Sequence, residues 1–175
     1  MSLPPRLVVL LALFLGACAA YDGRGLPGEH ATRAEVEARM GPPALAWTNP
    51  DGSQQLAYPR GPAGVHTFMA EIGPDGRLKS LRNVLDSSHF ARIVPGLSQD
   101  EVLHLIGPPV PGWTVTFPRR DELVWEWRYC DDWNEPARFN VLFAASNGRV
   151  RSTLSLSERQ SLPFGMGDRR SWCSH

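Results

Sequence analysis

Ser98-Gln99-Asp100-Glu101-Val102-Leu103-His104-Leu105-Ile106-Gly107-Pro108-Pro109 decides how this chain is read, because it repeats an earlier stretch. Thr32-Arg33-Ala34-Glu35-Val36-Glu37-Ala38-Arg39-Met40-Gly41-Pro42-Pro43 aligns with it without a gap, and the same register sets Trp47 on Trp113. Each copy spells a complete short helix. Thr32 with Glu35, and Ser98 with Glu101, have the spacing of a capping box, in which hydroxyl and carboxylate satisfy each other's backbone N–H groups. Val36 and Met40, like Val102 and Ile106, lie four apart on one helical face. Gly41 and Gly107 can take the left-handed conformation that closes a helix, and Pro-Pro forbids its continuation. The chain holds two copies of one unit.

Beyond each helix the apolar period shortens to two. Leu123, Trp125, Trp127 and Tyr129 alternate with Val124, Glu126 and Arg128, which predicts a strand with one aromatic face. A second strand follows over Phe139–Ala145; Asn147-Gly148 is a hairpin turn, and Val150, Leu154 and Leu156 continue on a third strand. The first copy has a paler version: Leu56–Tyr58, Thr67–Ile72, a turn at Pro74-Asp75-Gly76, then Leu78–Val84. Gly76-Arg77-Leu78 matches Gly148-Arg149-Val150. Between the copies, Ser87 or Ser88 is placed to cap a short helix holding Phe90 and Ile93, which Gly96 ends. The expected fold is α+β: a tandem repeat of a short helix, or helix pair, packed on a three-stranded antiparallel meander. The expected divisions are residues 1–17, 18–30 as a glycine-rich tether, 31–86 and 87–157 as the two units, and 158–175 as a C-terminal extension.

The N-terminus reads as an export signal. Arg6 is its only charge before the apolar run Leu7–Leu15, which ends in Leu15-Gly16-Ala17-Cys18. The run is too short to span a bilayer as a helix, which takes about 20 apolar residues. Small residues followed by cysteine resemble a lipobox, so Cys18 is expected to carry a diacylglycerol thioether and to begin the mature chain. An ordinary signal cut near Ala17 is the alternative. Ala19 and Ala20 follow where lipoproteins kept at the inner membrane resemble one another in having aspartate, which implies an outer-membrane, periplasm-facing location.

Composition excludes several partners. The 175 residues balance 18 Lys and Arg against 18 Asp and Glu, and loss of residues 1–17 removes only Arg6. A nucleic-acid partner would call for a basic stripe that this chain lacks. After Cys18 only Cys130 and Cys173 remain, too few and too far apart for a cysteine metal site. In an oxidising compartment they are candidates for a disulfide, with two free thiols as the alternative.

Phe90-Ala91-Arg92-Ile93-Val94-Pro95-Gly96-Leu97-Ser98-Gln99-Asp100-Glu101-Val102, with Gly107-Pro108-Pro109, Trp125-Glu126-Trp127-Arg128-Tyr129 and the last Asn-Gly hairpin, resembles the SmpA/OmlA family. These are the BamE-like small lipoproteins of the outer-membrane β-barrel assembly machinery. The resemblance is strong over 87–157 and weak over 31–85; the tandem arrangement also resembles the β-lactamase inhibitor protein family. Family members usually have one unit, whereas this chain has two and an extension. The resemblance implies a non-catalytic accessory or scaffold whose partner is the assembly machinery or another envelope protein. A periplasmic inhibitor or sequestering module is the alternative.

The residues themselves give no positive reason to read an enzyme. His30, His66, His89, His104 and His175 are scattered without metal-ligand spacing, and no cofactor is expected. Asp131-Asp132 beside Cys130 is more readily a solvated loop than a catalytic carboxylate pair, which should face each other across a cleft. No nucleophile elbow, phosphate loop or dinucleotide fingerprint occurs. Tryptophans are the remaining signal. Trp125 and Trp127 belong to the face the helices should cover, while Trp113 and Trp133 lie in loops near Arg119, Arg120, Asp131 and Asp132. Trp113, Arg119, Arg120 and Trp133 are therefore the expected partner surface, with contact between Trp and the membrane interface as a competing explanation.

Overall fold

A computed structural model describes residues 22–158 and Cys173; Cys18, the signal segment and most of the 158–175 extension lie outside the described residues. The first half contains α1 (Arg33–Met40), β1 (Leu45–Thr48), β2 (Gln54–Pro59), β3 (Thr67–Ile72) and β4 (Leu78–Asn83). The second contains α2 (Ser87–Phe90), α3 (Gln99–Ile106), β5 (Val115–Phe117), β6 (Glu122–Cys130), β7 (Pro136–Ala144) and β8 (Arg149–Ser157).

Both capping boxes form. Thr32 Oγ1 accepts from Glu35 N–H at 3.3 Å while Thr32 N–H donates to Glu35 Oε2 at 2.7 Å; the Ser98–Glu101 pair repeats this at 3.2 and 2.7 Å. The turns before β4 and β8 are used alike. Leu78 N–H donates to Ala31 O at 2.7 Å and Val150 N–H to Leu97 O at 2.8 Å, so each sheet's last strand ties down the entry to its helix. The guanidinium groups of Arg77 and Arg149 donate to the carbonyls of His30 and Gly96, which explains the matching Gly-Arg pairs. The cap of α2 differs from expectation: it is Asp86, whose side chain accepts from His89 N–H, and the helix stops before Ile93. Burial works to raise the Asp86 carboxyl, and hydrogen bonds from Ser88 and His89 outweigh it, leaving the group below its usual range.

The expected three-stranded meander is wrong. Each half is a four-stranded antiparallel sheet, in the orders β1-β2-β3-β4 and β5-β6-β7-β8, and the described residues are mostly β, with three short helices. The missing strands are β1 and β5, which follow the two Pro-Pro stops. They are short edge strands: β1 alternates over only four residues, with Leu45 and Trp47 half-buried, and β5 is exposed throughout, so neither offers a pattern long enough to be read as a strand from sequence. The glycine-rich 18–30 segment is also more than a tether from Asp22 onward. Gly23, Gly25 and Gly28 have positive φ and turn the chain so that Leu26 packs on the first core and Arg39 Nε bonds Arg24 O at 2.6 Å.

Packing is layered through α3. One face of the first sheet, with Leu56, Tyr58, Ala70 and Ile72, packs with Val36 and Met40 of α1. Its other face, with Ala57 and Met69, joins the larger core built on Val102, Ile106, Trp127, Phe139 and Phe143. Helix α3 thus serves both sheets. Gln55 Nε2 donates to His104 O at 2.8 Å and Trp47 lies 4.3 Å from the His104 ring on one side. On the other, Trp127, 1% exposed, donates its indole N–H to Gly107 O at 3.2 Å. Gly107 is required twice over: its φ is +73°, and a Cβ there would stand 2.7 Å from Thr67 Cγ2 of the first sheet.

Candidate functional site

Strands β6, β7 and β8 each have nine residues, about 30 Å of sheet, whereas α2 has four and covers about 6 Å. Among the described residues the end of the sheet beyond α2 is therefore left open, and a cleft of about 590 Å³ lies there. Its floor is Tyr129, Ala137 and Phe139 with Thr153 and Ser155; Ser87, Phe90 and Ala91 of α2 and its end form one wall. Asp131, Asp132, Trp133 and Glu135 form the rim.

The wall is rigid because its rings lock together. Phe90 stacks on Phe139 at 3.9 Å with 6° between planes and meets Tyr129 edge-on at 4.8 Å. Such contacts add about 0.5–1.5 kcal/mol each beyond burial. The floor owes its hydroxyls to a bulge. Phe143 pairs with Val150 but Leu142 with Ser152, which leaves Arg151 unpaired and reverses the facing of all that follows. Thr153 and Ser155 then share the inner face with Val141 and Phe139, while Leu154 turns outward and is 49% exposed. The alternation of Val150, Leu154 and Leu156 carries no sign of this shift.

Trp133 stands at the rim, 80% exposed, on a turn that is tightly held. Asp131 Oδ1 accepts the N–H groups of Trp133 at 3.0 Å and Glu135 at 2.9 Å, and Asn134 has φ +61°. A Cys130–Cys173 disulfide, Cα atoms 5.9 Å apart, ties the base of the turn, and Cys173 N–H donates to Asn134 O at 3.1 Å. The ring is thus presented by fixed backbone.

The other residues of the expected surface do not join it. Arg119 and Arg120 precede β6 and Trp133 follows it, so the strand, roughly 26 Å long between its terminal Cα atoms, separates them. Arg120 lies 4.2 Å from the Phe117 ring centroid and pairs with Glu122 at 2.9 Å; Arg119 is exposed nearby. Trp113 belongs to a third place. The Arg138 guanidinium sits 4.2 Å from its ring centroid, on the sheet face turned away from the helices. There Arg138 pairs with Glu126 at 2.8 Å, and Arg128 grips Glu158 with two bonds of 2.6 and 2.9 Å. Proximity in sequence puts these residues in one patch, and the nine-residue β6 between them sets them apart.

Asp131 spends its carboxylate on the turn, which supports the loop reading of Asp131-Asp132 over a catalytic pair. Among the described residues no group of three His, Cys, Asp or Glu is placed to hold a metal ion, and no helix is long and apolar enough to cross a membrane. No protein-family model matches the chain, and no curated protein matches it significantly.

Proposed function

We propose that this chain is an outer-membrane lipoprotein, anchored through lipid on Cys18 and facing the periplasm, that acts by protein binding as a non-catalytic accessory in β-barrel protein assembly and envelope integrity. The observation that carries the binding part is Trp133: a tryptophan 80% exposed on a pinned turn, at the mouth of an aromatic cleft. A ring carried on a turn whose backbone is already held has little backbone entropy to lose on contact, which suits an interface anchor. The location and the assembly role are supported by Leu15-Gly16-Ala17-Cys18 and by the resemblance of the 87–157 segment to SmpA/OmlA lipoproteins.

Affinity capture from detergent-solubilised outer membranes, using the full chain with its anchor, tests this reading. A β-barrel insertase is expected to co-purify in stoichiometric amount. Recovery of a soluble periplasmic enzyme instead would replace assembly by inhibition or sequestration. Metabolic labelling with a fatty-acid analogue tests the anchor: wild type is expected to label and Cys18→Ser is not, and equal labelling of both removes the proposed location.

A further inference from the structure

The fold grips its chain close to Cys18. Gly23 is buried, and a Cβ on it would stand 2.5 Å from Leu81 Cδ2 of β4, with Met40 Sδ of α1 at 3.4 Å. Its carbonyl accepts Leu26 N–H at 3.1 Å, and Leu26 packs on the core that α1 closes. Arg39 of α1 holds the Arg24 carbonyl between them. The chain is therefore fixed to the α1 side of the first sheet at Gly23, five residues after Cys18. Five residues reach at most about 18 Å when fully extended.

That reach is short beside the depth of the fold. Val36 and Met40 of α1 pack on one face of the first sheet, Ala57 and Met69 on its other face meet Val102 and Ile106 of α3, and Trp127 and Phe139 of the second sheet close that core. Helix α1, the first sheet, α3 and the second sheet thus follow one another as layers. Packed layers lie about 10 Å apart, so α1 and the second sheet are separated by roughly 30 Å. Trp113 under Arg138, and Leu154, lie on the second sheet's far face, beyond that distance. A lipid on Cys18 would hold that residue at the headgroup level of the bilayer. So short a leash cannot lay the far face of the second sheet on the bilayer that holds its other end.

We infer that the side of the first half carrying α1 faces the lipid bilayer, and that the first half is a rigid spacer which turns the far face of the second sheet toward the periplasm. Leash length, rather than affinity, brings the bilayer to this side: the exposed surface of α1 sets Glu35 against Arg39 beside Ala34 and Ala38 and offers neither an apolar nor a one-signed face. Trp113 is thereby withdrawn from the membrane interface, and its face meets partners in water. The inference rests on the proposed lipid at Cys18 and adds an orientation to it.

Energy transfer to a headgroup-labelled lipid tests it, on the full lipidated chain added to preformed phosphatidylcholine vesicles, with a fluorescent amino acid replacing Ala38 of α1 or Leu154 of β8 in turn. Both positions are exposed, so neither donor should shift the thermal midpoint by more than a few degrees. With an acceptor chosen for half transfer near the depth of the layers, transfer from position 38 is expected to exceed that from position 154 by about threefold or more, given their separation of roughly 30 Å. Insertion of about twenty Gly and Ser residues between Ala20 and Tyr21 gives a leash able to span the fold and is expected to make the two positions equal. Equal transfer in the natural chain overturns the orientation; a contrast that survives the insertion overturns the leash as its cause. Fatty-acid labelling at Cys18 with equal transfer removes this inference and leaves the proposed anchor in place, whereas absence of label removes both.

Discussion

Helices α1 and α3 begin with the same capping box, end with the same glycine and Pro-Pro, and do different work. Arg33-Ala34-Glu35-Val36-Glu37-Ala38-Arg39-Met40 buries Val36 and Met40 against one sheet and keeps charged residues on the rest of its surface. Gln99-Asp100-Glu101-Val102-Leu103-His104-Leu105-Ile106 buries Val102 and Ile106, packs Leu105 against the same core, and lies between two sheets. A repeated cap therefore specifies a local element, while the residues between cap and stop specify how many layers that element can hold. The equivalent tryptophans diverge for the same reason. Trp47 meets the His104 ring at a tilt of 37° inside the junction of the sheets, and Trp113 lies under Arg138 on the far face of the second.

The sharpest way to break this comparison is Trp127→Ala. It removes the largest fully buried side chain and its bond to Gly107, with an expected cost of about 3–5 kcal/mol. Because Trp127 supports α3 and α3 supports both sheets, denaturant unfolding should stay a single transition at a lower midpoint; separate loss of the second sheet would show that the halves are independent. Removal of the disulfide by Cys130→Ser is next. The link closes a separation of 43 positions and is found only in the second half, so the ideal loop-entropy model sets an upper value of about 4 kcal/mol. Calorimetry should register a loss below that figure and no loss of the first core.

Matched helix truncations sharpen the contrast further. Ile106→Ala is expected to cost about 4 kcal/mol and Met40→Ala about 2 kcal/mol, because the cavity at Ile106 lies in the core shared by both sheets. Equal costs would mean that the inner helix gains nothing from its second sheet. At the caps the difference should vanish. Thr32→Ala and Ser98→Ala should each cost about 1 kcal/mol, since the boxes share one geometry.

The smallest effect is a titration. Glu35 and Glu101 are held below their ordinary value of 4.5, first by the backbone N–H of Thr32 or Ser98 and then by its hydroxyl. A carboxyl depressed in the folded chain contributes stability above its unfolded value and loses that contribution as pH falls toward its folded one. Carboxyl NMR titration should place both midpoints below 4.5, and Thr32→Ala should raise that of Glu35 alone.

The local elements were legible, whereas the expected α+β fold class was not what formed. Capping, helix stops, the aromatic strand Leu123–Tyr129 and the hairpin turns before β4 and β8 depend on neighbours within a few residues, and the helix limits follow their signals closely. Edge strands β1 and β5 were not legible, since four alternating residues are too short a run to mark a strand and three exposed ones carry no alternation at all. The site was half visible. Trp133 stood out as a loop aromatic, but Trp113, Arg119 and Arg120 were grouped with it by sequence proximity that a long strand undoes.

By itself the sequence determined the duplicated helix, its two ends, the aromatic face of β6 and the near-neutral charge, because each follows from residue type and short spacing. Only the tertiary structure decided that α3 would lie between two sheets, that a bulge opposite Leu142 and Phe143 would turn Thr153 and Ser155 inward, and that a four-residue α2 would cover only part of a nine-residue sheet. Those outcomes depend on which faces meet and on how far one element reaches across another. Such lengths and registers become determinate only when distant segments pack.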